Sequence, residues 1–434
     1  MRRVDIGILL SEEIVFSLNG TFSGGGSDYV TGESRVVASG DCVEWQGRRY
    51  DRLLFTPKEA DCTFTVYNVV IGIDFHWERR EDQLFAGALL FFVEDGKVRL
   101  VNCIGVEDYL QSVISSEMSS TSSLQLLKAH AVISRSWLYA QLARAEKESV
   151  ECSLCENCDD GEIIRWYARE DHKLFDFCAD DHCQRYQGMT RAMNPNVVRA
   201  VEETSGLVLV SDGAVCDARF SKCCGGITES FSSCWENVDV PYLSSFRDAP
   251  AGAEPFDASS EDAARRWIEG RDEAFCSDVD ARVLSQVLNG YDRETNDFYR
   301  WTVTYMANEL TALIKKKSGI DFGCVKELVP VQRGASGRII KLKIVGSERT
   351  MIVGKELEIR RWLSPSHLYS SAFVVDKQID ADGNVAFVLR GAGWGHGVGL
   401  CQIGAAAMSE QGYDYRAILL HYYPNTELKN INEL

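Results

Sequence analysis

The hydrophobic period changes near residue 106, and that change restricts the fold of this chain more than any other feature. Residues 1 to about 100 alternate apolar and polar in short runs ("VDIGILL", "EIVFSLNG", "CTFTVYNVVIGI", "LLFFVEDGKVRLVNCIG"), separated by Gly-rich or Asp-Gly turns. A period of two marks strands with one buried face, and such turns join them as hairpins. From Val106 to Glu148 the pattern becomes two helices broken at "SSTSS", a run suited to capping, with Gln125 and Leu126 opening the second helix. Strands resume with "SGLVLVSDGAVCDARFS", and a loop followed by a helix is expected over 248–275. "NELTALIKKKSGI" (308–320) predicts a short amphipathic helix ending at Gly319. Strands are then expected at "GRIIKLKIVG", "RTMIVGKELEIRRWL" and "NVAFVLRG", followed by a glycine loop and a helix through Leu420. The fold class is therefore α+β. Four stretches are expected: a β-rich N-terminal domain (1–100), a core with a Cys/His-rich segment (101–245), an insertion of mixed α and β (246–360), and the C-terminal part of the core (361–434).

Composition narrows the partners. With 434 residues, 45% of them hydrophobic, the chain can form two or three packed units. A net charge of −18 argues against nucleic acid or an anionic membrane as the main partner, because both need a basic footprint. No apolar run is long enough for a transmembrane helix. "MRRVDIGILL" has a basic start but a short, acid-broken apolar run, so no clear signal peptide is read and a cytoplasmic location is favoured over the cell envelope. Fifteen cysteines is an odd number, and ten lie between Cys152 and Cys276, which suggests metal ligation and buried thiols more than a disulfide framework.

Several residues stand out chemically. In "VEDYLQSVISSEM" the face of Leu110, Val113 and Ile114 continues to Glu117. A carboxyl there loses solvation, and desolvation favours the protonated form a general acid needs; the plainer alternative is a partly exposed helix end. Arg135 falls in the Leu124, Ala131, Leu138 and Leu142 stripe of the next helix, where an inward guanidinium calls for a carboxylate or a ligand. The loop "GAGWGHGVGLCQIGA" has five glycines between 391 and 399 and gathers Trp394, His396 and Gln402. Tryptophan beside hydrogen-bonding groups suits a sugar ring, with a tight turn as the alternative. Cys152, Cys155 and Cys158, then His172, Cys178, His182 and Cys183, are soft ligands of the kind zinc takes. Iron–sulfur ligation ranks second, and disulfides are the structural alternative. "DARFSKCCGGITES" places Ser221, Cys223 and Thr228 around a Gly-Gly turn.

Taken together, these motifs resemble the SpoIID/LytB family of stage II sporulation protein D-like peptidoglycan lytic transglycosylases. The resemblance rests on "VEDYLQSVISSEM…LLKAHAVISRSWLYA", "FSKCCGGITES" and "GAGWGHGVGLCQIGAAAMSEQGYDYRAILLHYYPNT". It implies a SpoIID-like catalytic domain whose helix–turn–helix carries Glu117 as acid/base, with Arg135 as a glycan contact. Ser221, Thr228, Trp394, His396 and Gln402 are the further substrate-binding candidates. The resemblance also implies zinc held by His172, Cys178, His182 and Cys183, structural in role, with Cys152, Cys155 and Cys158 outside the family pattern. The implied reaction cleaves MurNAc–GlcNAc strands or wall fragments to 1,6-anhydro ends with one carboxyl group. Two other readings stay open: a zinc-dependent wall amidase or hydrolase, and a non-catalytic peptidoglycan binder or amidase activator.

Overall fold

The computed structural model describes residues 2–71, 79–119, 122–147, 154–159, 161–167, 172–180, 183–190, 195–288, 297–379, 381 and 383–434. It contains both strands and helices, as an α+β protein should. The chain separates into two compact units. One comprises Met1–Ser120, His130–Leu138 and Asp171–Leu207, and the other Thr121–Ala129, Tyr139–Glu170 and Val208–Leu434. This differs from the four consecutive stretches expected. The run of strands ends at Gly105, where strand Lys97–Gly105 passes directly into helix α1 (Val106–Glu117), as the change of period predicts, and both lie in the first unit.

The first unit is built on an eleven-stranded sheet. Its main path is Phe177–Cys178, Arg3–Ser11, Lys97–Gly105, Ala88–Glu94, Arg52–Pro57, Glu13–Gly24, Ser27–Ser39, Cys42–Trp45 and Arg48–Tyr50; Thr63–Ile71 and Arg79–Ala86 branch from Glu13–Gly24. Alternation sets the inner face: Ile14, Phe16 and Leu18 are buried in turn, and Phe16, Phe55 and Phe91 pack ring on ring at 5.0–6.2 Å. The run "ALLFF" is buried on both faces, which explains its lack of alternation. Leu90 and Phe92 join Val101 in a second cluster, covered by Phe175 from the Cys/His-rich segment. That approach requires glycine at position 7, where a Cβ would lie 2.6 Å from the Phe175 ring.

Helix α1 has two acids in its first turn, Glu107 and Asp108, where the helix dipole favours them. It ends as Met118 turns extended while its N–H still reaches the Ile114 carbonyl. Its buried side packs on Lys97–Gly105 and on α3 (Pro195–Glu203). Helix α2 (Leu124–Lys147) starts where the Ser123 hydroxyl accepts the Leu126 N–H at 3.1 Å, the capping role expected of that serine run.

In the second unit, Leu154–Asp159, Glu162–Tyr167, Thr350–Gly354, Ile339–Gly346 and Val325–Arg333 form a five-stranded sheet. Three more strands, Arg300–Met306, Val385–Ala392 and Phe373–Ile379, form another. Helix Ala307–Ser318 ends at Gly319 with φ +73°, as expected from its sequence. The first half of the Cys/His-rich segment is a hairpin, Leu154–Asp159 against Glu162–Tyr167. "KELEIRRW" is a correction: Glu356–Trp362 is a helix, not a strand, with acids in the first turn and arginines in the last. The C-terminal helix is two helices, Gln402–Glu410 and Tyr415–Tyr422. Among the described residues, no helix is long and apolar enough to cross a membrane.

Candidate functional site

Glu117 is the last residue of α1 and is half-buried. The Arg185 N–H donates to its Oε1 at 3.2 Å, so one carboxylate oxygen is oriented by main chain. Arg185 follows closely on Cys183, whose Sγ lies 3.5 Å from His172 Nε2. The ligand atoms of His172, Cys178 and Cys183 all lie within 4.8 Å of one another. A tetrahedral zinc with ordinary bond lengths sets a sulfur–nitrogen separation of about 3.6 Å, so these donors fit that ion.

The ligand segment is anchored by the sheet. Phe177–Cys178 pairs in parallel with Ile6–Gly7, and Ala179 N–H donates to the Gly7 carbonyl at 3.1 Å. Tyr186 N–H closes the turn onto the Ala179 carbonyl at 3.0 Å. Tyr109 of α1 stacks on both Phe177 and Tyr186, with centroids 6.4 and 5.1 Å away, and burial pushes its phenol well above the usual range. His182 and Cys152 lie outside the described residues, as do the side chains of Cys155 and Cys158.

Arg135 departs from the glycan-contact expectation. It is fully buried, and its Nε and Nη2 donate to the two Glu107 oxygens at 2.9 and 2.5 Å. Nη1 donates to the Leu207 carbonyl at 3.1 Å. With no surface and its fork occupied, the guanidinium ties α2 to the first turn of α1. Glu107 is the partner that sequence reasoning missed, although the inward arginine signalled that one was needed.

The glycine loop belongs to the second unit. Trp394 and Cys223 exchange backbone hydrogen bonds at 2.8 and 3.1 Å, Glu229 N–H donates to the Gly397 carbonyl at 2.9 Å, and Phe220–Ser221 pairs in parallel with Leu400–Cys401. The buried Arg338 donates to the carbonyls of Gly395 and Cys224 at 3.1 and 3.2 Å. Gly397 has φ +76°, and a Cβ there would lie 2.4 Å from the Arg338 guanidinium carbon. Glycine is therefore needed at position 397 for close packing over an arginine.

This loop pair brings Ser221, Trp394 and His396 together, and each is placed differently. The Ser221 hydroxyl is buried with no hydrogen-bond partner among the described residues. Trp394 is half-buried, stacked on Phe298 at 4.8 Å and tilted against Tyr369 at 4.6 Å, so much of its ring is already packed. His396 Nδ1 accepts the Val398 N–H at 3.0 Å; burial first, then Arg219, Arg338 and Arg360, hold its imidazole well below the usual histidine range. Gln402 is buried as the first residue of its helix. The Thr228 hydroxyl is committed to the Phe246 backbone and the Ser244 carbonyl, which makes Thr228 a structural residue rather than a substrate contact.

Comparison with known proteins gives two family matches. Residues 94–210 match the stage II sporulation protein family, and residues 229–399 match a domain of unknown function (DUF8618). An uncharacterized protein of Brachyspira hyodysenteriae is 26% identical, over 81% of this chain and 73% of its own length. The amidase enhancer of Bacillus subtilis is also 26% identical, over 74% of this chain, which spans only 40% of that protein. Stage II sporulation protein D of Bacillus amyloliquefaciens is 22% identical, over 76% of this chain and 75% of its own. The matched domain holds α1, α2 and the Cys/His-rich segment in the expected order, and with these relatives it supports the resemblance to the SpoIID/LytB family over that part of the chain.

Proposed function

We propose that this protein cleaves the glycan strands of peptidoglycan as a lytic transglycosylase, with Glu117 as its acid/base. The observation that carries the reading is the placement of Glu117: a half-buried carboxyl at a helix end inside the matched domain, oriented by one backbone N–H. One carboxyl group is enough for this chemistry, whereas hydrolytic glycosidases use two. Protonated Glu117 donates to the glycosidic oxygen between N-acetylmuramic acid and N-acetylglucosamine as the C1–O bond breaks. The carboxylate then removes the proton of the C6 hydroxyl, whose oxygen closes on C1. The product carries a 1,6-anhydro end, and no water is consumed.

In this reading His172, Cys178 and Cys183 hold a structural zinc that fixes the turn bearing the Arg185 N–H. Mass spectrometry of products from peptide-free glycan strands, wild type beside Glu117→Gln, tests the assignment. Glutamine keeps an oxygen for the Arg185 N–H, so the variant should fold and bind as the wild type does while releasing no product. Anhydro ends from the wild type alone are the expected result. Reducing ends, heavier by one water, would make the protein a hydrolase. Tight binding without any cleavage would favour an amidase activator, the role suggested by the name of the Bacillus subtilis relative.

A further inference from the structure

The second unit contains a group of metal-type donors that the glycan reading leaves unused. Cys224, Asp248, Cys276 and Cys401 come from four separate stretches of chain, yet their ligand atoms all lie within 4.8 Å of one another. All four are buried, none more than 2% exposed. We propose that these side chains bind a single zinc ion in a closed, tetrahedral, structural Cys3Asp site. Neither the family matches nor the names of the relatives assign such a site, and it stands apart from the glycan reading.

The spacing suits one ion. Cys224 Sγ is 3.6 Å from Cys276 Sγ, close to the edge of about 3.8 Å that two zinc–sulfur bonds of about 2.3 Å subtend at a tetrahedral centre. Cys224 Sγ is 3.1 Å from Asp248 Oδ2, which places the carboxylate on the same centre. A four-iron cluster would hold its thiolates further apart, because each cysteine sulfur binds a different iron. Backbone donors surround the sulfurs. Backbone N–H groups of Cys224 and Gly404 point at Cys401 Sγ at 3.2 and 3.4 Å, and that of Gly226 at Cys224 Sγ at 3.3 Å. Cys401 also caps helix Gln402–Glu410, at the positive end of its dipole.

An outer shell is present as well. Asp248 Oδ1 shares a hydrogen bond with His421 Nε2 at 3.0 Å, which orients the other carboxylate oxygen toward the sulfurs. The buried Tyr422 hydroxyl, near Asp248 and the three thiols, has no hydrogen-bond partner among the described residues. Zinc would bind the three thiols as thiolates and displace their protons. A bound zinc would staple the "CCGG" turn to the end of the glycine loop through Cys224 and Cys401.

Cobalt titration of the full-length chain under reducing conditions tests the site, because thiolate-to-cobalt charge transfer reports sulfur ligation directly. The variant His172→Ala removes a ligand of the first unit's centre and should retain one equivalent of cobalt with a strong charge-transfer band. Adding Cys401→Ser should weaken that band by removing one of its three thiolates, and an unchanged band would overturn the proposal. If the double variant does not fold, His172→Ala with Asp248→Asn decides: its ligand-field bands should shift while charge transfer persists. Loss of all thiolate-bound cobalt in His172→Ala alone would overturn the proposal. So would a Cys224–Cys276 disulfide in the freshly purified protein. A spectrum altered by Cys223→Ser and indifferent to Asp248→Asn would overturn the donor set, since Cys223 adjoins Cys276 and Cys401.

Discussion

Arg135 and His396 show how far a residue's setting decides its role. Arg135 has the position of a ligand contact but holds Glu107 in a bidentate pair, with the carboxylate only 16% exposed. Removing one partner of such a pair leaves the other desolvated and unmatched. Arg135→Met should therefore cost about 3 kcal/mol in denaturant unfolding, and Glu107→Gln added to it should recover part of the loss. Glycan affinity of the folded fraction should stay near wild type; a selective loss of affinity at unchanged stability would restore the contact role. His396 is held neutral in the fold, below its ordinary value of 6.5. The unfolded chain takes up that proton more readily, so stability is present above about pH 6.5 and declines as pH falls through and below it. His396→Gln should flatten this acid limb, read as the denaturant midpoint between about pH 7.5 and 5. An unchanged slope would mean that another group sets it.

At the scale of elements, what was legible in the sequence is what depends on neighbours along the chain. The strands of the first hundred residues, α1, the serine cap of α2 and the Gly319 helix stop all follow from period and capping, which are local. "KELEIRRW" was misread because Leu357 and Ile359 alternate with charged residues like a strand, whereas Glu356, Ile359 and Trp362 recur at helical spacing on the buried side. The candidate site was legible only in pieces. The His172, Cys178, Cys183 trio lies close in sequence, but Glu107 sits 28 positions from its arginine, Glu117 68 positions from Arg185, and Cys401 177 positions from Cys224. Such pairings exist only after folding. The glycine loop was read as a sugar platform, with a tight turn as the alternative, but its glycines serve close packing. At Gly399, φ is +71° and a Cβ would meet the Arg219 carbonyl oxygen at 2.0 Å. Gly399→Ala should cost about 1–3 kcal/mol from backbone conformation alone and more from the collision, measured as a lowered thermal midpoint. Gly412→Ala makes a useful control: it has φ +91° but nothing within 4 Å, so only the conformational part should appear.

On the scale of the whole molecule, each unit has its own donor cluster: His172, Cys178 and Cys183 in the first, and Cys224, Asp248, Cys276 and Cys401 in the second. Zinc held as proposed at these clusters would contribute folding free energy on binding. Chelation should therefore lower the thermal midpoint before it slows glycan cleavage by the chain that remains folded. An inactive apo form with an unchanged midpoint would instead indicate a metal that takes part in the chemistry. The two units are also interleaved along the sequence, since the first closes only with Asp171–Leu207. That ordering matters during synthesis. When residue 105 leaves the ribosome, strand Arg3–Ser11 has its antiparallel neighbour Lys97–Gly105 but not the Phe177–Cys178 edge, and the Phe175 ring that covers Leu90 and Phe92 does not yet exist. At about 5–20 residues per second, the nascent sheet waits roughly 4–15 s with that apolar face open. Newly made chains should therefore depend on chaperones through this interval far more than the finished protein does.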